Sequence, residues 1–361
     1  MRVLVVNAGS SSMKLRLLDE EDRLVARRDL AAGGPVGEEE LAAALEDLGP
    51  ADAVGHRVVH GGRRTAAARL DEGLVAELTA LADLAPLHQP PALAAMAVTS
   101  AVLPDVPAVA CFDTAFHTTL PAAAATYAVP ADWRNRWDLH RYGFHGLSHA
   151  WAARRAAELT GRSAAVLRVV TCHLGAGASL AAVAGGRSID TTMGFTPLEG
   201  LVMATRSGSV DPGLLLWLQT HGGLAADEVA DALEHRSGIR ALAGTADLAE
   251  VVAGAEQGDA DATLALDVYA HRARTGVAAM VAALGGVDVL VITGGAGEAS
   301  PQVRAALVGG LGFLGLALDP QRNADAEPDA EIGVTGAVPV YVVAAREDLQ
   351  IAGEVRAVLV T

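Results

Sequence analysis

Val3-Leu4-Val5-Val6-Asn7-Ala8-Gly9-Ser10-Ser11-Ser12-Met13-Lys14-Leu15-Arg16-Leu17-Leu18-Asp19 is the stretch on which the reading of the chain turns. An apolar, mostly β-branched run enters a Gly/Ser turn, and alternation resumes with Met13, Leu15 and Leu17 on one side and Lys14 and Arg16 on the other. That pattern predicts a β-hairpin. Its turn has nothing to pack, but its backbone N–H groups, hydroxyls and one amide can serve an anion or a hydrated metal. An ordinary hairpin turn is the alternative, and this stretch alone does not decide between them.

The pattern returns. Val169-Val170-Thr171-Cys172-His173 leads through Leu174-Gly175-Ala176-Gly177-Ala178-Ser179 into Leu180–Ala184, with a second turn at Gly185-Gly186. A third apolar run, Val287 to Thr293, ends in Gly294-Gly295-Ala296-Gly297-Glu298 ahead of a helix-like segment. Two strand, turn, strand units half a chain apart are what a duplicated domain leaves behind. In this the chain resembles the superfamily of sugar kinases, actin and the Hsp70 ATPase. That resemblance implies an α/β fold of two similar ribonuclease-H-like domains with a nucleotide cleft between them. The expected division is residues 1–112 plus 348–361 as the acid-binding half and 113–347 as the nucleotide-binding half.

Length and composition agree with a folded pair of domains: 361 residues, 51% hydrophobic and 19% charged. A net charge of −16 argues against nucleic acid or an anionic membrane as partner. Only Cys111 and Cys172 are present, so no disulfide framework is indicated. The N-terminal apolar run is only four residues before Asn7, too short for a signal peptide core, no run reaches the length of a membrane span, and a cytoplasmic location is expected.

Between the turns lie several polar clusters. Gly55-His56-Arg57-Val58-Val59-His60-Gly61-Gly62 spaces two histidines as zinc hydrolases do, but Arg57 stands where their Glu would be, and the cluster is better suited to gripping an anion. Asp71 is expected to cap a helix, and Ala85–Pro91 to form a rigid loop. A buried strand from Pro107 delivers Asp113, either a ligand-binding carboxylate at a strand end or a turn cap. Gly146-Leu147-Ser148-His149-Ala150 imitates a hydrolase nucleophile elbow without the strand that motif needs, so Ser148 reads as a helix N-cap and His145 as the residue of interest. Residues 188–213 lack periodicity and hold Arg206 between Gly/Ser turns, a second candidate anion clamp. Helices are expected over 38–48, 212–220, 226–233 and 259–284, and a last strand over 338–343.

Taken together, NAGSSSMK, GHRVVHGG, APLHQPP, FDTAFH, RYGFHG, CHLGAGAS, MGFTPLEG, TRSGSVDP and ITGGAGE resemble the acetate kinase family in content and order. The resemblance implies reversible transfer of a phosphoryl group between ATP and acetate, giving ADP and acetyl phosphate. A carboxylate nucleophile is already ionised, so anion repulsion is the obstacle. By resemblance Arg57 and Arg206 serve the acetate and the phosphoryl group in flight, His145 stabilises the transition state, and Asp113 orients the arginines or the metal's waters. Asn7 and Glu347 match magnesium-holding positions, with manganese a possible substitute. Lys14, Ser10, Ser12, His173, Gly175 and Gly177 match the phosphate side, and Asp247, Gly295, Ala296 and Gly297 the adenosine side. Val59, Leu87 and Pro197 match the apolar pocket for the acetate methyl, where Val59 leaves less room than the alanine associated with propionate. A homodimer follows from the resemblance alone.

This chain departs from the family pattern at Ala176, which replaces an asparagine, and at Arg346, where a small polar residue is usual. It is also shorter than most relatives, and the alignment is weakest around Asp247. The competing readings are a propionate or butyrate kinase and a non-enzymatic nucleotide-binding module of the actin or Hsp70 type.

Overall fold

The structure, a computed structural model, describes residues 1–9, 12–31, 37–85 and 88–360. Ser10, Leu87 and the side chain of Ser12, named above as site residues, lie outside the described residues. The chain divides into two compact units. Unit 1 is Met1–Thr118, Phe144–Trp151 and Arg346–Thr361, and unit 2 is Thr119–Gly143 and Ala152–Ala345.

Unit 1 is built on a sheet of β1 (Val3–Ala8), β2 (Ser12–Leu18), β3 (Leu24–Ala31), β4 (Ala53–Val58), β5 (Ala68–Arg69) and β6 (Ala108–Phe112), in the order β3-β2-β1-β4-β6-β5. The opening stretch is the expected hairpin, with Val3 opposite Leu18 and Ala8 opposite Met13. β1, β4 and β6 run parallel side by side, and β5 closes one edge antiparallel. Alternation along β1 sends its residues to two cores. Leu4, Val6 and Ala8 pack with Leu41 and Leu45 of helix Glu38–Leu48 and with Ala92 and Ala95 of helix Gln89–Val102. Val3 and Val5 pack with Ile351, Ala352 and Val355 of helix Glu347–Val360.

Three expectations are corrected here. Pro90 and Pro91 lie in the first turn of a helix, where a missing N–H breaks no bond, so the rigid loop is shorter than expected. The helix after His145 starts at Gly146, and the His145 carbonyl accepts its first bond, from His149 N at 2.9 Å. Ser148 is therefore inside the helix and fully buried, neither a cap nor an accessible nucleophile. Residues 113–118, 144–151 and 346–347, assigned above to the second half, belong to unit 1, because the chain from Asp113 and from Phe144 is tied there: Gly146 N donates to Asp113 O at 3.0 Å.

Unit 2 repeats the plan with β7 (Arg168–Leu174), β8 (Ala178–Ala184), β9 (Arg187–Thr191), β10 (Val289–Thr293), β11 (Ala330–Glu331) and β12 (Val340–Val342), in the order β11-β12-β10-β7-β8-β9. β7, β8 and β9 form an antiparallel meander, β7, β10 and β12 are parallel, and β11 is an antiparallel edge. Strand for strand this is the order of unit 1. The long helix Ala260–Leu284 packs on the meander through Gly276, where an added Cβ would lie 2.6 Å from Leu180 Cδ1. The helix-like segment expected after Glu298 is Pro301–Val308, while helices Gly238–Ala243 and Leu248–Glu256 have no counterpart in the sequence reading. No helix of the described residues is long and apolar enough to cross a membrane.

One position tests the packing of unit 1. A Cβ on Gly55, mid-β4, would lie 2.5 Å from Ile351 Cγ2 and 2.7 Å from Val355 Cγ2. Gly55→Ala is expected to push the C-terminal helix off the sheet and to cost about 1–3 kcal/mol, read as a lower urea midpoint at unchanged m-value.

Candidate active site

The C-terminal ends of three adjacent parallel strands in unit 1 carry the polar residues that the sequence singled out. Asn7 lies near the end of β1, Arg57 near the end of β4, and Asp113 directly after β6. Arg57 Nε and Nη2 both donate to Asp113 Oδ2, at 3.1 and 2.7 Å. Its Nη1 donates to Asn7 Oδ1 at 3.2 Å, and Asn7 Nδ2 donates to Glu347 Oε2 at 3.2 Å. Glu347 opens the C-terminal helix, so the last element of the chain closes a row begun by the first. Lys14 pairs with Asn7 across the hairpin ladder and is exposed. Val59, one residue beyond β4, is buried.

Asp113 is almost wholly buried, and burial raises its pKa, with Arg57 pulling the other way and Glu347 adding to the rise. Burial opposes the charge on Arg57, but the carboxylates of Asp113 and Glu347 outweigh it and hold the guanidinium charged. Among the described residues Asp113 Oδ1 is buried with no side-chain hydrogen-bond partner. His56, next to Arg57 on the strand, is pushed down to about 4 by burial and stays neutral. Consecutive strand residues point to opposite faces, so His56 does not join Arg57.

His145 is placed by the loop before helix Gly146–Thr160. Its φ is +56°, a left-handed conformation unusual for histidine. The loop is held there by buried Phe144, whose carbonyl accepts a hydrogen bond from His117 Nε2 at 3.0 Å. Gly146 must be glycine, because a Cβ would lie 2.0 Å from Asp113 O. The row and His145 are thus built on neighbouring backbone.

In unit 2 two Gly-rich turns follow the parallel neighbours β7 and β10. Gly175 N donates to Gly177 O at 3.0 Å and closes the first turn, with His173 beside it, paired with Thr293 in the ladder. Gly294 has φ +85° and approaches the Leu174 backbone so closely that a Cβ would lie 2.9 Å away. The sequence reading missed Glu298, whose Oε1 accepts the N–H groups of Gly294 and Ala345, at 3.0 and 2.9 Å. A cavity of about 460 Å³ opens beside these turns, lined by Gly175, Ala176, Asp247, Gly295 and Ala296, with Ile239, Val252 and Tyr269 as apolar wall. Leu248, Ala249, Val252, Ala253 and Glu256 line it from one face of their helix, as a 3.6-residue period requires. Asp247 caps that helix through Ala249 N at 2.8 Å. Gly297 lies in the packing behind the turn, where a Cβ would meet Ile292 Cγ2 at 2.8 Å.

Arg206 sits in unit 2 in the stretch after β9 that has no helix or strand until Pro212. Its Nη1 donates to Pro197 O at 2.8 Å, and burial lowers its pKa, with Glu234 opposing. Ala204 N donates to Ala176 O at 3.1 Å, tying the Arg206 stretch to the first Gly turn.

Residues 39–353 match the acetokinase family. An acetate kinase of Leifsonia xyli subsp. xyli is 46% identical over 384 aligned residues, covering 97% of each chain. Among solved structures, an acetate kinase of Porphyromonas gingivalis aligns with a TM-score of 0.91 at 34% identity over 99% of both chains. A propionate kinase of Francisella tularensis subsp. tularensis SCHU S4 aligns with a TM-score of 0.91 at 32% identity, again over 99% of both. The two units are accordingly α/β domains of the fold shared by actin, Hsp70 and the sugar kinases.

Removing Arg57 would strand Asp113 as a buried unpaired carboxylate, a change that costs about 3–5 kcal/mol in comparable pairs. In the parent Arg57 pulls the Asp113 pKa down against burial; without it burial and Glu347 both raise it, so the variant's folded pKa lies above the unfolded one. Its contribution is then present below the unfolded value and lost as pH rises through the folded one. Arg57→Ala is expected to lose more stability relative to the parent at pH 8 than at pH 5, measured by urea unfolding at both.

Proposed function

The chain belongs to the acetokinase family, and from that premise we propose that it transfers the γ-phosphoryl group of ATP to acetate, reversibly, giving acetyl phosphate and ADP. The observation that carries the site assignment is the row of Glu347, Asn7, Arg57 and Asp113 at the strand ends of unit 1. Acetate needs no general base, since its carboxylate is ionised at neutral pH. What it needs is a cation to bring it against another anion, and Arg57, fixed by Asp113, presents one.

Unit 2 holds the nucleotide: its adenosine in the cavity bounded by Asp247, Gly295 and Ala296, its phosphates at the Gly175–Gly177 turn, with His173 as a further phosphate contact. Arg206 meets the phosphoryl group in flight, and His145 donates to one of its equatorial oxygens. Asp113 acts by holding Arg57, not as a base.

The donors of unit 1 fit a magnesium ion. Mg²⁺ keeps most of its waters and takes one or two protein oxygens with the substrate phosphates. Glu347 and Asn7 would hold it, and Asp113 Oδ1, which has no side-chain partner among the described residues, is an acceptor suited to a metal-bound water. Among the described residues no group of three or more acidic, His or Cys side chains forms a metal cage. When bound, the ion neutralises charge on the β and γ oxygens.

The likeness to a propionate kinase keeps a second acid in play. Val59 of unit 1 bounds the acid's methyl, and a further methylene in such a pocket is worth about 1–3 kcal/mol. A cytoplasmic homodimer is part of the same proposal and rests on the family alone.

The test is acyl phosphate formation from ATP and Mg²⁺, trapped with hydroxylamine, for acetate, propionate and butyrate. Acetate is expected to give the highest kcat/KM, propionate about 10- to 200-fold less. Arg206→Ala is expected to lose about 10²- to 10³-fold in kcat. No phosphorylation of any of the acids by a preparation that binds ATP would overturn the reading.

A further inference from the structure

Arg206 is set in irregular chain, yet a transition-state cation must be placed to within a fraction of an ångström. Its side chain has one hydrogen-bond partner among the described residues, the Pro197 carbonyl. What holds Pro197 therefore decides where the guanidinium points.

We propose that Tyr127, Glu199 and Arg141 form a clamp that fixes residues 192–199 and, through Pro197, positions Arg206. The inference rests on the role given to Arg206 above. Arg141 Nη2 donates to Glu199 Oε1 at 2.8 Å, while its Nη1 donates to Met193 O at 2.9 Å and Thr192 O at 3.3 Å. The Tyr127 hydroxyl donates to Glu199 Oε2 at 2.5 Å and accepts Phe195 N–H at 2.9 Å. The Arg141 guanidinium also lies over the Tyr127 ring, 5.5 Å from its centroid. Tyr142 N and Gly143 N both donate to Gly194 O, at 3.1 and 3.2 Å. Four consecutive residues, Thr192 to Phe195, are thus held on one side of Pro197 and Glu199 on the other.

The clamp is closed tightly over its centre. A Cβ on Gly194 would lie 2.2 Å from the Tyr127 oxygen and closer still to Glu199 Oε2. Both Glu199 oxygens are used, one by a cation and one by a phenol, so the carboxylate serves as a bridge and not as a ligand waiting for substrate. Tyr127, Glu199 and Arg141 are positioning residues, two or more residues removed from the group they place.

A double-mutant cycle separates positioning from general stability. Tyr127→Phe keeps the ring and removes the hydroxyl, and is expected to lower kcat about 10- to 100-fold with the KM for ATP within about twofold. In the Arg206→Ala background the same change is expected to cost less than about twofold, because the residue it places is gone. Glu199→Gln, which keeps the shape of the bridge, is expected to fall between parent and Tyr127→Phe, and stands in if Tyr127→Phe does not fold. Losses that simply multiply in the double variant, or an unchanged kcat in Tyr127→Phe, would overturn the clamp. Amide hydrogen exchange over residues 192–200 reads the clamp without turnover: Tyr127→Phe is expected to exchange faster there and nowhere else in unit 2. If the parent phosphorylates no acid, the assigned reaction fails while the exchange result still decides the clamp, with unchanged protection overturning it.

Discussion

A guanidinium set into the end of a buried sheet stays charged and in place only if carboxylates surround it, and the ion pair of Arg57 with Asp113 is the constraint from which the rest of unit 1 follows. Asp113 has to emerge from the strand next to β4, which fixes β6 as its parallel neighbour. Asn7 has to emerge on the other side, which fixes β1. Glu347 reaches the row only because the C-terminal helix returns across the sheet, and that helix lies close because Gly55 has no side chain. The site and the core are one construction, and the charge that makes the site useful is the charge that the core must accommodate.

The two units share a strand order and use it for different chemistry. In unit 1 the parallel strand ends carry polar and charged side chains. In unit 2 the ends of β7 and β10 carry glycines, whose backbone N–H groups and close approaches leave room for a bulky ligand beside them. A meander followed by parallel strands brings two or three strand ends to one side of a sheet regardless of sequence, which is why ligands collect there. The same frame occurs twice, and the turns differ between the two.

Much of this was legible because local physics spoke plainly. Helices 38–48 and 212–220 begin and end where acidic first turns, Asp211 and Pro212 say they should. The Gly turns, Arg57, Asp113 and Arg206 stood out against an apolar background. Helix Leu248–Glu256 did not, although Asp247 caps it, because Asp247 was read as a ligand. The start of helix 146–160 was misplaced because His145 takes a positive φ, a conformation sequence rules reserve for Gly or Asn. Glu298 and the Tyr127, Glu199 and Arg141 group are invisible locally, since their partners lie up to 72 residues away.

The replacement of the family's asparagine by Ala176 shows what a turn can lose. Ala176 lines the unit 2 cavity, and its carbonyl accepts Ala204 N, the bond that ties the turn to the stretch bearing Arg206. Those are backbone services, which any residue able to adopt the turn provides. The side chain removes one amide contact to a charged group, worth about 1.5–3 kcal/mol where such a bond is made. The turn's own shape, closed by Gly175 and Gly177, does not depend on it. The departure therefore weakens one contact while leaving the turn, the cavity and the placement of Arg206 intact, because architecture here is carried by backbone and affinity by side chains.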